Sequence, residues 1–332
     1  MKDLLIIGDT HFGTHNNSLT WLDHQLDGFR EIIDYIKTQK NLTVIHVGDF
    51  FDSRSSVNTM IYKRVSEVLC ELNEVLVQTT SMMYILGGNH DYYYPRDTHS
   101  NTTGIAMLQP YSNIVTVVKD PLIIENIALI PWFWFNDFEK LSEIDLSMVR
   151  TIFTHTDPMR LDAQISSFTV QYQIVSGHIH QPTYGRNYLV TGACFPLDFN
   201  DVNDSRGFWT CTLQEDGCKD FQMHDLDNPI HFWRISEEDF LDIHNPEKFD
   251  IRKDDYVEVM CHMEWTIDNK EAIEELQNFC TVSIVYIMES STSVNESLRI
   301  TNVDDLCNEV LEDNLKPYYL RMKEDIEKEP LL

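Results

Sequence analysis

Five short segments of the sequence carry side chains that bind metal ions, and each follows an apolar run. Gly87-Gly88-Asn89-His90-Asp91 is the most specific, and it comes directly after the run from Met82 to Leu86. The other four are Asp9-Thr10-His11, Asp49 with Asp52, His155, and His178-Ile179-His180. Open α/β sheets place their chemistry beyond the carboxyl ends of their strands. Because five such segments occur in one chain, we predict a metal centre at these strand ends.

The side chains in these segments form a ligand set of nitrogen and oxygen atoms without a thiolate. Carboxylates, neutral imidazoles and an Asn carbonyl suit Mn²⁺, Fe or Zn²⁺. Two such ions about 3.5 to 4 Å apart bind phosphate oxygens and lower the pKa of a water between them, which prepares it for in-line attack. The predicted chemistry is therefore phosphoester hydrolysis.

Each segment taken alone also has a structural explanation. Asp9-Thr10-His11 and Gly48-Asp49 would usually be turns, because Asp and His are common in loops. Gly177-His178-Ile179-His180 could be a structural pair whose hydrogen bonds are satisfied. The occurrence of all five in order, each after a β-like run, favours metal binding over these explanations.

Hydrophobic periodicity predicts the elements that position the first three segments. The runs Leu4 to Ile7, Leu42 to Val47 and Met82 to Leu86 are typical of buried strands. Apolar residues at helical spacing predict amphipathic helices over 21–37 and 62–76. This βαβαβ order predicts parallel strands joined by right-handed crossovers.

The middle of the chain is predicted to form a second, antiparallel or mixed sheet. A short helix over 104–108 precedes it. The predicted strands of this sheet cover 115–118, 122–125 and 128–132, and further strands are predicted over 151–154, 172–176, 188–191 and 207–213. Two of these further strands lead directly to His155 and to His178, so they also deliver candidate ligands.

Composition limits the class of protein. The 332 residues, 42% of them apolar, are enough for one large domain and a smaller one. The apolar runs are far shorter than the roughly 20 residues that a bilayer span needs, so we expect no signal peptide and no membrane segment. The seven cysteines are scattered and never form a CxxC pair, which predicts reduced thiols in an intracellular protein.

Net charge constrains how the chain could bind nucleic acid. The formal charge of −29 has the wrong sign for a protein that holds DNA by itself, because Lys and Arg supply most nonspecific affinity. From residue 227 onward, 26 Asp and Glu stand against 10 Lys and Arg. This part is predicted to contain strands over 256–265 and 282–288, a helix over 269–279 and a charged helical tail over 303–328.

The motifs resemble, in order, those of the calcineurin-like metallophosphoesterase superfamily. They are Asp9-X-His11, Gly48-Asp49-X-X-Asp52, Gly88-Asn89-His90-Asp91, His155 and Gly177-His178-X-His180. Within it the chain is most similar to the SbcD-like DNA double-strand-break-repair nucleases, in particular bacteriophage recombination endonuclease subunits that work with an SMC-type ATPase. Ile130-Pro131-Trp132 and Ser205-Arg206-Gly207-Phe208-Trp209 add local similarity. The resemblance extends to about residue 225.

The resemblance implies a role for each site residue. One ion would be held by Asp9, His11 and His180, and the other by Asn89, His155 and His178. Asp49 would bridge the two ions. The resemblance implies that His90 faces the scissile phosphate, where it stabilises charge or protonates the leaving 3′ oxygen. Asp52 would orient His90 without binding metal, and Asp91 would orient the loop.

The resemblance also implies the fold and the cellular role. Residues 1–225 would form a four-layer α/β/β/α sandwich, and residues 226–332 a small α+β capping and partner-binding region. The implied activity is a DNA exonuclease and endonuclease in recombination, repair and replication. We expect two Mn²⁺ ions, with Mg²⁺, Fe and Zn²⁺ as alternatives.

The implied partners are double-stranded DNA ends, single-stranded DNA and an SMC-type ATPase. The chain would form a homodimer within a heterotetramer, in the cytoplasm, which for a bacteriophage protein is that of the host cell. Two other functions stay open. One is a phosphoprotein phosphatase or small-molecule phosphodiesterase, and the other is a non-catalytic scaffold that regulates the ATPase.

Two aromatic and apolar features have two explanations each. Tyr92, Tyr93 and Tyr94 would either stack on bases at a duplex end or pack against the adjoining domain. The tail carries an apolar stripe at helical spacing, which would either grip the ATPase or pack on the capping domain. The stripe consists of Leu306, Val310, Leu311, Leu315 and Tyr318.

Overall fold

The computed structural model describes most of the chain up to residue 287. The described ranges are 2–93, 103–108, 111–117, 120–132, 143–158, 172–201, 205–227, 230–243, 248–253 and 255–287. Within them the chain forms two six-stranded sheets and one three-stranded sheet. No helix among these residues combines the length and the apolar character that crossing a membrane requires. The six cysteines in these ranges are free thiols.

The first sheet is built on a parallel core of four strands. It contains β1 (Lys2–Ile7), β2 (Thr43–His46), β3 (Met82–Leu86), β4 (Ile114–Val117), β11 (Gly207–Gln214) and β12 (Gly217–Asp225). Their order is β12-β11-β1-β2-β3-β4. Strands β1 to β4 are parallel, and β11 pairs antiparallel with β1. The carboxyl ends of β1, β2 and β3 therefore meet at one edge.

Two amphipathic helices cover the outer face of the first sheet, as their periodicity predicts. They are α1 (Leu19–Lys37) and α2 (Thr59–Thr79). Ser18 and Asn58 cap their first turns by accepting hydrogen bonds from the main-chain N–H groups of Trp21 and Met60. A four-residue helical turn, Thr14–Asn17, precedes α1, and two short 3-10 helices cover Gly104–Leu108 and Phe199–Asp201.

The second sheet stands behind the first. It contains β5 (Leu122–Ile124), β6 (Ile127–Ile130), β7 (Thr151–Thr154), β8 (Gln173–Ser176), β9 (Thr183–Tyr184) and β10 (Tyr188–Val190). Their order is β5-β6-β7-β8-β10-β9, and the central four are parallel to one another. Strands β5 and β9 pair antiparallel at its two edges. The ends of β7 and β8 deliver His155 and His178.

Alternating side chains separate the cores on either side of each sheet. In β1, Leu5 and Ile7 pack with the helices, whereas Leu4 and Ile6 pack between the two sheets. In β6, Leu129 faces this inter-sheet core, while its neighbours face a third cluster that includes 146 and 149. This is the predicted α/β sandwich. Segments 133–142 and 159–171 lie outside the described residues.

Three details of the predicted elements are corrected. Strand β4 belongs to the first sheet, where Ile114 to Val117 pair in parallel with Met83 to Leu86; periodicity does not reveal which edge a strand joins. The strand predicted over 256–265 ends earlier, because a helix begins at Met263. Strands β9 and β12 were not predicted, since both carry mostly polar or half-exposed residues.

The part beyond residue 226 contains a small parallel sheet with its own core. Its strands are β13 (Phe232–Ser236), β14 (Tyr256–Cys261) and β15 (Thr281–Tyr286), and its helices are α3 (Glu237–Phe240), α4 (Met263–Asp268) and α5 (Lys270–Gln277). Strand β13 was not predicted. Trp21 of α1 packs against Phe232 and Tyr256. The domain boundary at 225 and 226 stays a prediction, and the tail stripe lies outside the described residues.

The buried face of α2 provides a test of this packing. Leu72 is 1% exposed in the helix–sheet core, whereas Val77 on the same helix is 52% exposed. Leu72→Ala should lower the free energy of unfolding by about 2 to 5 kcal/mol, because it leaves a cavity. Val77→Ala should change it by less than about 0.5 kcal/mol. Urea unfolding followed by circular dichroism measures both, and equal effects would contradict the packing described here.

Candidate metal centre

The structure brings all ten predicted site residues to one edge of the sandwich. Asp9 and His11 follow β1, Asp49 and Asp52 follow β2, and Asn89, His90 and Asp91 follow β3; His155 follows β7, and His178 and His180 follow β8. The first sheet thus supplies seven of these residues and the second sheet three. Because the contributing strands are parallel within each sheet, segments that are distant in sequence meet here.

The first group of ligand atoms belongs to Asp9, His11 and His180. The Nε2 atoms of His11 and His180 are 3.2 Å apart. Asp9 Oδ2 is 4.0 Å from Nε2 of His11 and 3.8 Å from Nε2 of His180. One ligand atom from each residue lies within 4.8 Å of the others, which is the spacing of side chains around one ion.

The second group belongs to Asp49, His155 and His178, with Asn89 among them. Asn89 Oδ1 is 2.9 Å from Nε2 of His155 and 2.9 Å from Nδ1 of His178. The Nδ1–H of His155 donates to the Val47 carbonyl at 3.0 Å. This bond leaves Nε2 of His155 directed into the site.

Asp49 stands between the two groups. Its Oδ2 atom is 3.2 Å from Nε2 of His155 and 3.7 Å from Nε2 of His11. Its Oδ1 atom accepts a hydrogen bond from the main-chain N–H of His90 at 2.7 Å. One carboxylate oxygen therefore faces a histidine of each group, as a bridging ligand would.

Three site residues have left-handed backbone conformations. The φ angles are 45° at His11, 53° at Asp49 and 79° at His178. Such conformations cost about 1 to 3 kcal/mol each in residues other than glycine and cluster at functional sites. Gly48, before Asp49, has a φ of 114°, and a Cβ atom there would stand 2.6 Å from Nδ1 of His155. The turn into Asp49 therefore requires glycine.

Burial and mutual charge shift the pKa values of these groups. Burial raises the pKa of Asp9 to about 7. Burial also opposes the charge on His155, but Asp49 and Asp9 outweigh it and raise the pKa of His155 to about 9. Burial opposes ionisation of Asp49 too, yet His155 outweighs it and lowers the pKa of Asp49. Burial lowers the pKa of His178 and of His180 to about 4, so both imidazoles are neutral and offer lone pairs.

These donors fit divalent metal ions. Neutral imidazoles and carboxylates, held close together in a buried site, match the nitrogen and oxygen coordination of Mn²⁺, Fe and Zn²⁺. Asp9, His11 and His180 would hold one ion. Asn89, His155 and His178 would hold the other, with Asp49 shared. The position of each atom agrees with this assignment, which itself stays a prediction.

His90 lies beside both groups with one ring nitrogen already engaged. Its Nδ1–H donates to the Asp52 carbonyl at 2.5 Å, and its ring centroid is 4.9 Å from that of His11. This bond fixes the tautomer and leaves Nε2 for a substrate. The orienting contact expected from the Asp52 side chain is thus made by the main chain. Its carboxylate instead lies 3.3 Å from Nδ1 of His11.

Asp91 connects the loops that follow β2 and β3. Its buried carboxylate accepts hydrogen bonds from the main-chain N–H groups of Phe50 at 3.1 Å and Gly88 at 2.9 Å. Burial, together with Asp49, raises the pKa of Asp91 to about 7. The contacts tie the loop after β2 to the loop after β3, and the loop-orienting role of Asp91 stays a prediction.

Comparison with known proteins agrees with this geometry. Residues 3–203 match the family described as calcineurin-like phosphoesterase. The chain belongs to this family. Exonuclease subunit 1 of Enterobacteria phage T4 is 28% identical to the phosphoesterase over 222 residues, which are 62% of this chain and 63% of that protein. The similarity therefore spans less than two thirds of the relative's length.

Sequence reasoning missed a buried histidine that connects two loops of the phosphoesterase. His46 ends β2 within an apolar run, and burial lowers its pKa to about 3. The Gly48 N–H donates to Nδ1 of His46 at 3.2 Å, so Nε2 carries the proton and donates to the Thr10 hydroxyl at 3.1 Å. Thr10 in turn donates to the Phe50 carbonyl at 3.0 Å. A histidine within a buried strand was the available signal.

Two further residues support the site from its sides. The Gln25 amide on α1 donates to the Thr10 carbonyl at 2.7 Å. The indole of Trp132 lies 4.9 Å from the imidazole of His178, and its main-chain N–H donates to the Gly87 carbonyl at 2.9 Å. Trp132 belongs to the Ile130-Pro131-Trp132 segment noted in the sequence. Its place beside His178 depends on the packing of the two sheets and is not evident from that segment.

Asp49→Asn tests whether Asp49 is a ligand shared by two ions in this phosphoesterase. An amide at this position cannot supply a charged oxygen to two cations, so both ions should bind more weakly. The loss should exceed the roughly 10- to 100-fold that changes outside the ligand shell produce. Metal content and titration calorimetry measure it. Asp27→Asn, at an exposed surface pair, is the matched control and should leave binding unchanged. An unchanged metal content in Asp49→Asn would refute the two-metal arrangement.

Proposed function

We propose that this chain is the nuclease subunit of a DNA exonuclease and endonuclease that works in recombination, repair and replication. The observation that carries the proposal is the convergence of two groups of metal-binding side chains on Asp49, with His90 beside them. Oδ2 of Asp49 lies within 3.7 Å of His11 and 3.2 Å of His155. This arrangement would let two bound ions act on one phosphoester.

The proposed chemistry divides between the ions and the protein. When bound, two divalent ions supply Lewis acidity toward phosphate oxygens and an activated water. His90 contributes through Nε2–H of its imidazolium form, which stabilises charge on the phosphate or gives its proton to the leaving 3′ oxygen. The Asp52 carbonyl holds the ring by its Nδ1–H, and Asp49 holds the main chain of the same residue. His90 thus acts on the substrate while the seven proposed ligand residues would bind metal.

We propose Mn²⁺ as the native ion, with Mg²⁺, Fe and Zn²⁺ as alternatives. The set combines carboxylate and amide oxygens with four imidazoles and contains no thiolate. Mg²⁺ alone would usually retain more oxygen ligands and waters, and Zn²⁺ sites often include cysteine. Mn²⁺ accepts both oxygen and nitrogen donors in such a mixed set.

DNA is the proposed substrate because of the named relative and the SbcD-like motifs. Exonuclease subunit 1 of phage T4 is by its name one subunit of a larger enzyme. The charge of −29 supports the same division of labour, because a partner must then supply the basic contacts to phosphate. We propose an SMC-type ATPase as that partner, a homodimer within a heterotetramer as the assembly, and the host cytoplasm as the location.

A substrate panel tests the proposed activity. Purified protein with Mn²⁺ is offered end-labelled duplex DNA, circular single-stranded DNA, a phosphorylated peptide and a small phosphodiester. Cleavage of both DNA substrates supports the proposal. Hydrolysis of the phosphopeptide or the small diester alone would indicate a phosphatase or a small-molecule phosphodiesterase. No hydrolysis of any substrate, with or without the ATPase, would indicate a scaffold.

His90→Ala separates catalysis from metal binding. The variant should bind both ions as the wild-type chain does, because His90 belongs to neither proposed ligand set. Its cleavage rate should fall by about 10² to 10⁴, the usual contribution of a general acid. Metal analysis and single-turnover kinetics measure the two effects. His262→Ala, on the small sheet, is the control and should keep full activity. An empty metal site in His90→Ala would make His90 a ligand.

Removal of residues 303–332 tests whether the tail binds the proposed ATPase partner. This tail lies outside the described residues and carries the apolar stripe from Leu306 to Tyr318. If the stripe binds the ATPase, the shortened chain should hydrolyse a small diester at the normal rate but no longer associate with a cognate SMC-type ATPase. Size-exclusion chromatography of the mixed proteins measures association. Binding of the ATPase by the shortened chain with full affinity would exclude the tail as the docking element.

A further inference from the structure

A buried ion pair lies behind His180, outside both groups of candidate ligands. The guanidinium of Arg206, which is 2% exposed, donates through Nη1 to the His180 carbonyl and through Nη2 to Oδ1 of Asp201. Asp201 is also buried. Arg206 comes just before β11, so this contact reaches from the first sheet to the loop that follows β8.

Asp201 is itself anchored to the main chain. Its Oδ2 atom accepts hydrogen bonds from the N–H of Leu197 at 2.6 Å and from the N–H of Asp198 at 3.4 Å. The carboxylate therefore holds Arg206 in one orientation. A chain of charge-assisted contacts runs from the Leu197 turn through Asp201 and Arg206 to the His180 carbonyl.

His180 is a candidate ligand whose position depends on such an anchor. Its side chain is 41% exposed, whereas that of Asp9 is completely buried. Packing therefore restrains the ring of His180 weakly, and its position depends on the main chain. The His180 carbonyl accepts a second hydrogen bond, from the Ala193 N–H at 2.9 Å. The adjacent Cys194 N–H donates to the Asp9 carbonyl at 2.8 Å, so both contacts locate His180 relative to Asp9.

Stability alone does not explain the choice of this pair. A buried arginine and aspartate lose their hydration, and well-packed apolar side chains at such positions are often at least as stable. The bidentate fork of its guanidinium is what joins Asp201 to the His180 carbonyl.

We propose that Arg206 is a positioning residue that fixes His180 for the ion held with Asp9 and His11. The inference rests on the proposed metal centre and adds a residue that touches neither ion nor substrate. Residues outside a ligand shell usually change metal affinity by about 10- to 100-fold. Arg206→Met should therefore lower the affinity for one of the two ions by about that factor and leave the affinity for the other unchanged.

Titration of the full-length protein with Mn²⁺ alone, followed by calorimetry and by electron paramagnetic resonance of free Mn²⁺, gives both affinities without an activity assay. Arg206→Lys keeps the positive charge without the two-pronged guanidinium and should recover part of the lost affinity.

A double-mutant cycle with His180→Ala tests whether Arg206 acts on metal affinity through His180. Once His180 is truncated, Arg206→Met should have no further effect on affinity. Arg234→Met, which breaks an arginine–glutamate pair between β13 and β14, is the control and should bind both ions normally.

Several outcomes would overturn the inference. Wild-type affinity for both ions in Arg206→Met would do so, and so would a loss that persists in full when His180 is already alanine. If Arg206→Met does not fold, Arg206→Lys and Asp201→Asn are compared in the same titration. Failure of all three to fold would make the pair a purely structural element. A wild-type chain that binds no Mn²⁺ would refute the proposed metal centre as well, whereas the other outcomes leave that centre intact.

Discussion

Three carboxylates buried at one edge of the sandwich impose the main physical constraint on this protein. Asp9, Asp49 and Asp91 are each no more than 2% exposed, and burying uncompensated charge costs several kcal/mol or more. Main-chain N–H groups satisfy Asp91, and the N–H groups of His178 and His90 each reach one of the other two. The imidazolium of His155, whose pKa is raised to about 9, offsets part of the remaining negative charge, and divalent ions would offset the rest. The left-handed turns at the site follow from this need, because they aim donors and carboxylates at the same small volume.

The sandwich architecture lets one short edge collect so many polar groups. Within each sheet the contributing strands are parallel, so their carboxyl ends lie side by side. The inter-sheet core, from Leu4 and Ile6 to Leu129 and Phe153, holds the two edges together. Ligands after β1 to β3 then face ligands after β7 and β8. An error in strand order would separate the two groups of ligands, whereas the surface loops can vary without that effect.

Support for the site comes from polar contacts that lie outside the ligand atoms. His46 and Gln25 connect the loop after β1 with β2 and α1. Arg206 connects the loop after β8 with the turn at Asp201. Gln25 and Arg206 donate to main-chain carbonyls directly, and His46 acts on one through the Thr10 hydroxyl, so these buried side chains fix the loops without regular secondary structure. Under the proposed function, the net charge of −29 would leave recognition of DNA to the ions and to a partner.

Local residue chemistry in the sequence was enough to predict most of the strands and helices and the segments that carry the candidate ligands. The period and the end of a strand are local properties, so a strand and the ligand that follows it can be predicted from sequence. Examples are Leu4 to Ile7 followed by Asp9, and Met82 to Leu86 followed by Asn89. Contacts between distant segments are not local, so only the tertiary structure decided them. It placed β4 in the first sheet, gave the orienting bond of His90 to the Asp52 carbonyl, and brought Arg206 against His180 across 26 residues. These depend on the packing of two sheets, which no single segment encodes.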